Sequence, residues 1–133
     1  GGYMSALAVL KRPDVFKAGV AGAPVVDWED YDTHYTERYL GVPDQDAAAY
    51  RDASLLTYAA NLERPLLIVH GTADDNVYFR HSLKLANALF RAGKEFELLP
   101  LSGLTHMVPD PVVTERLWSR IAGHFQKHLG HPR

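Results

Sequence analysis

Between Pro65 and Gly71 the chain reads Leu66-Leu67-Ile68-Val69-His70, and the unbroken apolar run ends abruptly in Gly71-Thr72-Ala73-Asp74-Asp75-Asn76. Four consecutive apolar residues without alternation fit a strand buried on both faces, the signature of a parallel sheet covered by helices. In an open α/β sheet, groups just beyond the carboxyl end of a strand face the ligand crevice. Asp74, Asp75 and Asn76 therefore stand where chemistry is done, although Gly, Thr, Asp and Asn are also ordinary turn residues.

The flanking sequence supplies the rest of such a fold. Met4–Leu10 is rich in helix formers and Pro13 ends it, while Gly1-Gly2 at its mouth permits close approach of backbone or ligand. Phe16–Ala23 predicts a second buried strand. Pro24–Tyr39 carries Trp28, Tyr31, Tyr35 and Tyr39 at spacings of three, four and four, which place all four rings on one helical face. Such a stripe is more often core than ligand site, yet each polar tip needs a partner when buried. Leu40–Asn61 reads as a surface excursion, with a turn or helix start at Pro43-Asp44, helical residues at Ala47–Tyr50 and a short helix near Ser54–Ala60.

Beyond the central strand, Ser82 is placed to cap a helix running to about Ala92, with Gly93 at its end. Glu95–Leu101 alternates as a third strand, and Ser102–Met107 is a loop holding His106. Asp110-Pro111 opens a last helix whose Val113, Leu117, Ile121 and Phe125 define a buried face. The basic end from His128 to Arg133 is expected to fray. Helix, strand, excursion, strand, helix, strand, helix is the order of an α/β fold with a mainly parallel sheet flanked by helices.

Composition removes several function classes. Cysteine is absent, which excludes disulfides, thiolate nucleophiles and thiolate metal sites. A net charge of -2 leaves no electrostatic footprint for nucleic acid, and no apolar stretch approaches the roughly 20 residues of a membrane span. There is no phosphate loop or dinucleotide fingerprint, and Asp74-Asp75-Asn76 lacks the alternation of a calcium loop. His124 and His128 have the four-residue spacing of a helical metal pair, but no third ligand stands near them in sequence, so neither metal nor cofactor is expected.

Asp74 follows one predicted strand and His106 follows the next. Adjacent parallel strands bring such loops together, and a carboxylate on imidazole Nδ1 leaves Nε2 free to take a proton from a hydroxyl nucleophile. Ser5, Ser54, Ser82, Ser102 and Ser119 are the serines, and none lies in Gly-x-Ser-x-Gly. In hydrolases of the α/β type the order along the chain is Ser, Asp, His. Gly1-Gly2-Tyr3 fits the tail of Gly-x-Ser-x-Gly-Gly-Tyr, with the serine two residues before Gly1. Residues 1–133 are thus expected to be the C-terminal part of an α/β-hydrolase catalytic domain, cut just after the nucleophile elbow. Its open sheet edge would favour self-association into a homo-oligomer.

Ala23-Pro24-Val25, Trp28-Glu29, Tyr31-Asp32, Tyr35-Thr36-Glu37-Arg38-Tyr39 and His70-Gly71-Thr72-Ala73-Asp74-Asp75-Asn76-Val77 resemble the dipeptidyl peptidase IV group of the prolyl oligopeptidase family over nearly the whole chain. The resemblance implies that Asp74, not Asp75, is the triad acid and that His106 is the general base. It implies that Val25, Trp28, Tyr31, Tyr35 and Val77 line a pocket for proline or alanine, and that Asn76 donates its amide to a peptide carbonyl. It implies a serine peptidase releasing Xaa-Pro or Xaa-Ala dipeptides from peptide substrates. An acylaminoacyl-peptidase or oligopeptidase of the same family, or a non-catalytic α/β binding domain, are the alternatives. Around His106 the sequence is Leu104-Thr105-His106-Met107, where the family usually has an acidic residue before the histidine. His70, at a strand end, reads as a packed or hydrogen-bonded structural histidine.

Overall fold

The computed structural model describes residues 1–130. Its centre is β2, Leu66–Gly71, every residue of which is buried. A strand without a polar face is stable only when both of its sides and both of its edges are covered, and the neighbours provide that. β1, Gly19–Gly22, runs parallel on one edge with Val20 opposite Leu67. β3, Glu97–Leu101, runs parallel on the other, with Ile68 opposite Leu98 and Gly71 opposite Leu101. Pro100 sits in β3, an outer strand of this three-stranded sheet, where a residue without an N–H costs the ladder least.

Helix α1, Gly2–Lys11, precedes β1 and buries Ala6, Val9 and Leu10. Its first turn presses against the end of β1: a Cβ added to Gly2 would lie 2.2 Å from the Gly22 carbonyl oxygen. Only glycine permits that approach. Helix α4, Arg80–Arg91, is the crossover between β2 and β3 and buries Leu85 and Leu89. Gly93 follows it as expected, and the N–H of Lys94 returns to the Leu89 carbonyl at 2.9 Å. Fully burying leucines or isoleucines of this kind stabilises a fold by about 1.5–3 kcal/mol each, and Leu55, Leu66, Ile68, Leu85 and Leu89 share one cluster.

Four expectations need correction. Leu40–Asn61 is no mere surface excursion. It follows α2 (Thr33–Leu40) and contains α3 (Ala47–Ala53) and a 3-10 segment, Leu55–Asn61, whose Leu55 and Ala59 enter the core with Leu62. The four aromatics do not share one helix either. Trp28 lies in a 3-10 turn over Trp28–Asp30 and Tyr31 is extended, because Asp27 and Asp32 each cap a new start by accepting the N–H of Glu29 or His34. Ser82 does not cap α4. It lies inside the first turn, fully buried, after Phe79 at the N-cap position.

The fourth concerns the last helix, α5, Pro111–Leu129. It begins as expected, with Asp110 accepting the N–H groups of Val112 and Val113. Yet Val113, Leu117, Ile121 and Phe125 are only half-buried, and His124 is its one buried side chain. The helix is weakly anchored, with Val112 and Trp118 exposed. It retains His128 and Leu129 in helical form, and the remainder of the expected fraying end lies outside the described residues beyond Gly130. No helix among the described residues is long and apolar enough to cross a membrane.

Candidate active site

Asp74 lies in the turn that leaves β2, and its carboxylate is completely enclosed while the adjacent Asp75 is exposed. The turn is built around that carboxylate: Oδ1 accepts the N–H of Asn76 at 3.0 Å and of Val77 at 2.8 Å. Oδ2 meets His106 Nδ1 at 2.8 Å. Burial alone would raise the carboxyl pKa. The His106 imidazole and the two backbone donors outweigh it, and Asp74 is held below the ordinary carboxylate value. A fixed negative charge is thereby aimed at Nδ1. His106 sits in the loop after β3, with its side chain 39% exposed; Nε2 makes no hydrogen bond among the described residues. The two loops meet because β2 and β3 are parallel neighbours.

Beneath this pair sits His70, 1% exposed. Its Nε2 lies 2.7 Å from the Val77 carbonyl oxygen, which can only accept, so Nε2 carries the proton. In the neutral ring Nδ1 then accepts from the Ser82 hydroxyl at 2.7 Å. His70 Nε2 also stands 3.4 Å from Asp74 Oδ2. This histidine is a brace for the Asp74 turn, hydrogen-bonded at both nitrogens, and Ser82 is its partner.

Val25, Trp28, Tyr31, Tyr35, Asn76, Val77 and His106 border one cavity of about 370 Å3, which also reaches Gly1, Gly2 and Tyr3 at the start of α1. Trp28 is the hub of the rings: Tyr3 and Tyr31 approach it edge-on at 5.2 and 5.6 Å, and Tyr35 stacks at 6.0 Å. Tyr39 packs on Tyr35 but is 66% exposed and away from the cavity. The Tyr31 hydroxyl donates to Asn76 Oδ1 at 3.1 Å, which orients the Asn76 amide; its NH2 makes no hydrogen bond among the described residues. Lys84 bridges Asp27 and Asp30, and Arg80 reaches Asp30, so α4 holds the Trp28 turn in place.

Sequence reasoning missed several supports of this site. Ala23, at a cavity edge, has φ 44, a left-handed conformation that costs a residue with a Cβ about 1–2 kcal/mol. It stands at the bend from β1 into Pro24, and no sequence pattern announces that bend. His81 accepts the N–H of Val26 at 3.0 Å through Nδ1 and thereby fixes the segment carrying Val25. Burial depresses its pKa below 6.5. A histidine held unprotonated in the fold contributes stability above its ordinary pKa, and that contribution is lost as pH falls below 6.5 toward the depressed value. The His81 ring resonances are therefore expected to titrate below 6.5, with the unfolding midpoint falling over the same range. A His81 titration above 6.5 would refute this.

None of the five serines hydrogen-bonds His106. Ser5 bonds the Gly1 carbonyl, Ser54 caps the 3-10 segment and Ser82 serves His70. The described residues bring together a carboxylate and an imidazole beside an aromatic cavity and a helix N-terminus.

Residues 1–132 match the prolyl oligopeptidase family, and the chain belongs to it. Human dipeptidyl peptidase 8 is 38% identical over 133 residues, covering 98% of this chain and 15% of the relative. Pig dipeptidyl peptidase 4 is 36% identical over 130 residues, covering 96% of this chain and 17% of that protein. The crystal structure of Porphyromonas gingivalis dipeptidyl peptidase 4 superposes with a TM-score of 0.92 at 34% identity, over 96% of this chain and 18% of its own. The fold is part of the α/β-hydrolase fold. The chain spans less than a fifth of the length of each of these relatives.

Proposed function

We propose that these residues carry the acid–base half and the proline pocket of a serine peptidase that releases N-terminal Xaa-Pro and Xaa-Ala dipeptides. The nucleophile is then a serine two residues before Gly1, where the positive end of α1 also favours the negative charge that develops on the attacked carbonyl. His106 Nε2 takes the serine proton and returns it to the leaving amine, while Asp74 holds the imidazolium and its tautomer. Trp28, Tyr31, Tyr35, Val25 and Val77 enclose a pyrrolidine between flat apolar surfaces, and the free NH2 of Asn76 donates to the substrate carbonyl.

The observation that carries this reading is the 2.8 Å contact of Asp74 with His106 on a cavity that Gly1 and Gly2 also border. The dipeptidyl peptidase names of the relatives support the specificity. The 133 residues alone are inert on this reading, because an acid–base pair without a hydroxyl nucleophile forms no acyl-enzyme.

The test uses the intact protein and two chromogenic substrates, Ala-Pro with a free amino terminus and the same dipeptide N-acetylated. Turnover of the free form alone is expected. Cleavage of the acetylated form would replace this reading with an acylaminoacyl-peptidase, and cleavage of neither with a binding domain.

A further inference from the structure

A second cluster of chemistry-bearing side chains lies at the opposite end of the strands from Asp74. His124, from α5, is 4% exposed, and neither of its ring nitrogens has a hydrogen-bond partner among the described residues. The backbone of Gly19 and Pro65 passes nearby without a hydrogen bond of acceptable geometry. An imidazole always carries at least one N–H and commonly one acceptor, so a buried ring unsatisfied at both calls for an explanation. His128, one turn on, faces it with ring centroids 4.7 Å apart.

The third group is absent from the local sequence and comes from β3. Glu97 brings a carboxylate oxygen to the two histidines, and one ligand atom from each residue lies within 4.8 Å of the others. Arg120 holds Oε2 of Glu97 at 2.6 Å, fixing the carboxylate while leaving Oε1 with only Lys127 at 3.9 Å. The cluster opens on a cavity of about 770 Å3 bordered by Arg64, Pro65, Phe90 and Lys94, which gives an ion and its water a way in.

We propose that Glu97, His124 and His128 bind one divalent transition-metal ion of the zinc class, which fastens α5 to the start of β3. Two imidazoles and a carboxylate with a fourth position for water is a zinc donor set. Calcium and magnesium favour all-oxygen ligands and fit poorly. Closing donors that lie within 4.8 Å of one another to a tetrahedral zinc site needs at most about 1.5 Å of movement, which the half-exposed Glu97 and His128 side chains can share. Arg120 acts as the partner that orients the carboxylate. The ion supplies what α5 lacks in buried surface, since His124 is that helix's one buried side chain.

The test adds zinc chloride to the metal-free full-length protein and measures uptake by equilibrium dialysis, with the thermal midpoint followed in parallel. Wild type is expected to bind one equivalent more than His128→Asn, and zinc, but not magnesium, is expected to raise the midpoint in wild type alone. Glu97→Gln, at a half-exposed position, is expected to weaken zinc binding by about tenfold or more and serves if His128→Asn does not fold. Cobalt in place of zinc should give the visible bands of a four-coordinate ion in wild type. Equal zinc uptake by wild type and a folded variant, or no uptake by wild type, overturns the proposal.

Discussion

Asp74→Asn in the full-length protein is expected to lower kcat on Ala-Pro substrates by about 10^4-fold, equivalent to about 5 kcal/mol of transition-state stabilisation. The reason is the tautomer. A carboxylate can only accept, so it draws the proton of a neutral His106 onto Nδ1 and leaves Nε2 able to accept one, as the proposed base must. An asparagine can present its NH2 to Nδ1 and leave the proton on Nε2, where it blocks proton abstraction. The amide oxygen can still accept the N–H groups of Val77 and Asn76, so the turn and the fold should survive. Unchanged KM with collapsed kcat is the expected pattern. A loss smaller than tenfold with intact folding would show that Asp74 does not serve the base.

Gly71→Ala should damage both stability and activity without removing any functional group. A Cβ there would lie 2.3 Å from the Leu104 carbonyl oxygen and 2.8 Å from that of Thr105. These are backbone atoms of the loop that ends in His106, and they cannot rotate away. The loop is tied to the turn just after β2 by the N–H of Ala73 on the Leu104 carbonyl at 3.0 Å and by the N–H of Gly103 on Thr72 Oγ1 at 2.8 Å. Admitting a methyl group means pushing this loop off the strand. We expect a loss of about 1–3 kcal/mol in stability. A shift of the imidazole by roughly 1 Å would cost about 10^2-fold in kcat/KM. Thermal unfolding and steady-state kinetics of the variant check both. Wild-type values in both would mean that the loop tolerates displacement and that its close approach to Gly71 does not set the position of His106.

What could be read from the sequence was whatever rested on local physics. The apolar run Leu66–Val69 fits a doubly covered strand, which β2 is, and Asp110-Pro111 is a strong helix start, which opens α5. Parallel neighbours then bring the loops holding Asp74 and His106 together, and these two side chains do meet. The failures came from long-range packing. Helical spacing placed Trp28 and Tyr39 on one helix, but Asp27 caps a 3-10 turn that holds Trp28 and Asp32 starts a separate helix that holds Tyr39. Leu55, Ala59 and Leu62 stand four and three residues apart, a helical spacing, but it is the packing of the 3-10 segment and its C-cap against α1 and α4 that takes them into the core. Glu97 escaped notice beside His124 and His128 since only the parallel sheet and the path of α5 bring it there. Gly71 was visible as a strand end, but the loop against which it packs was not.

The most direct measurement treats the full-length protein with a fluorophosphonate probe and maps the labelled residue by peptide mass spectrometry. The account predicts a single labelled serine, two residues before Gly1, with labelling abolished in His106→Ala and absent from the 133-residue chain alone. Labelling of any other serine, labelling that persists without His106, or no labelling of a folded protein would contradict it.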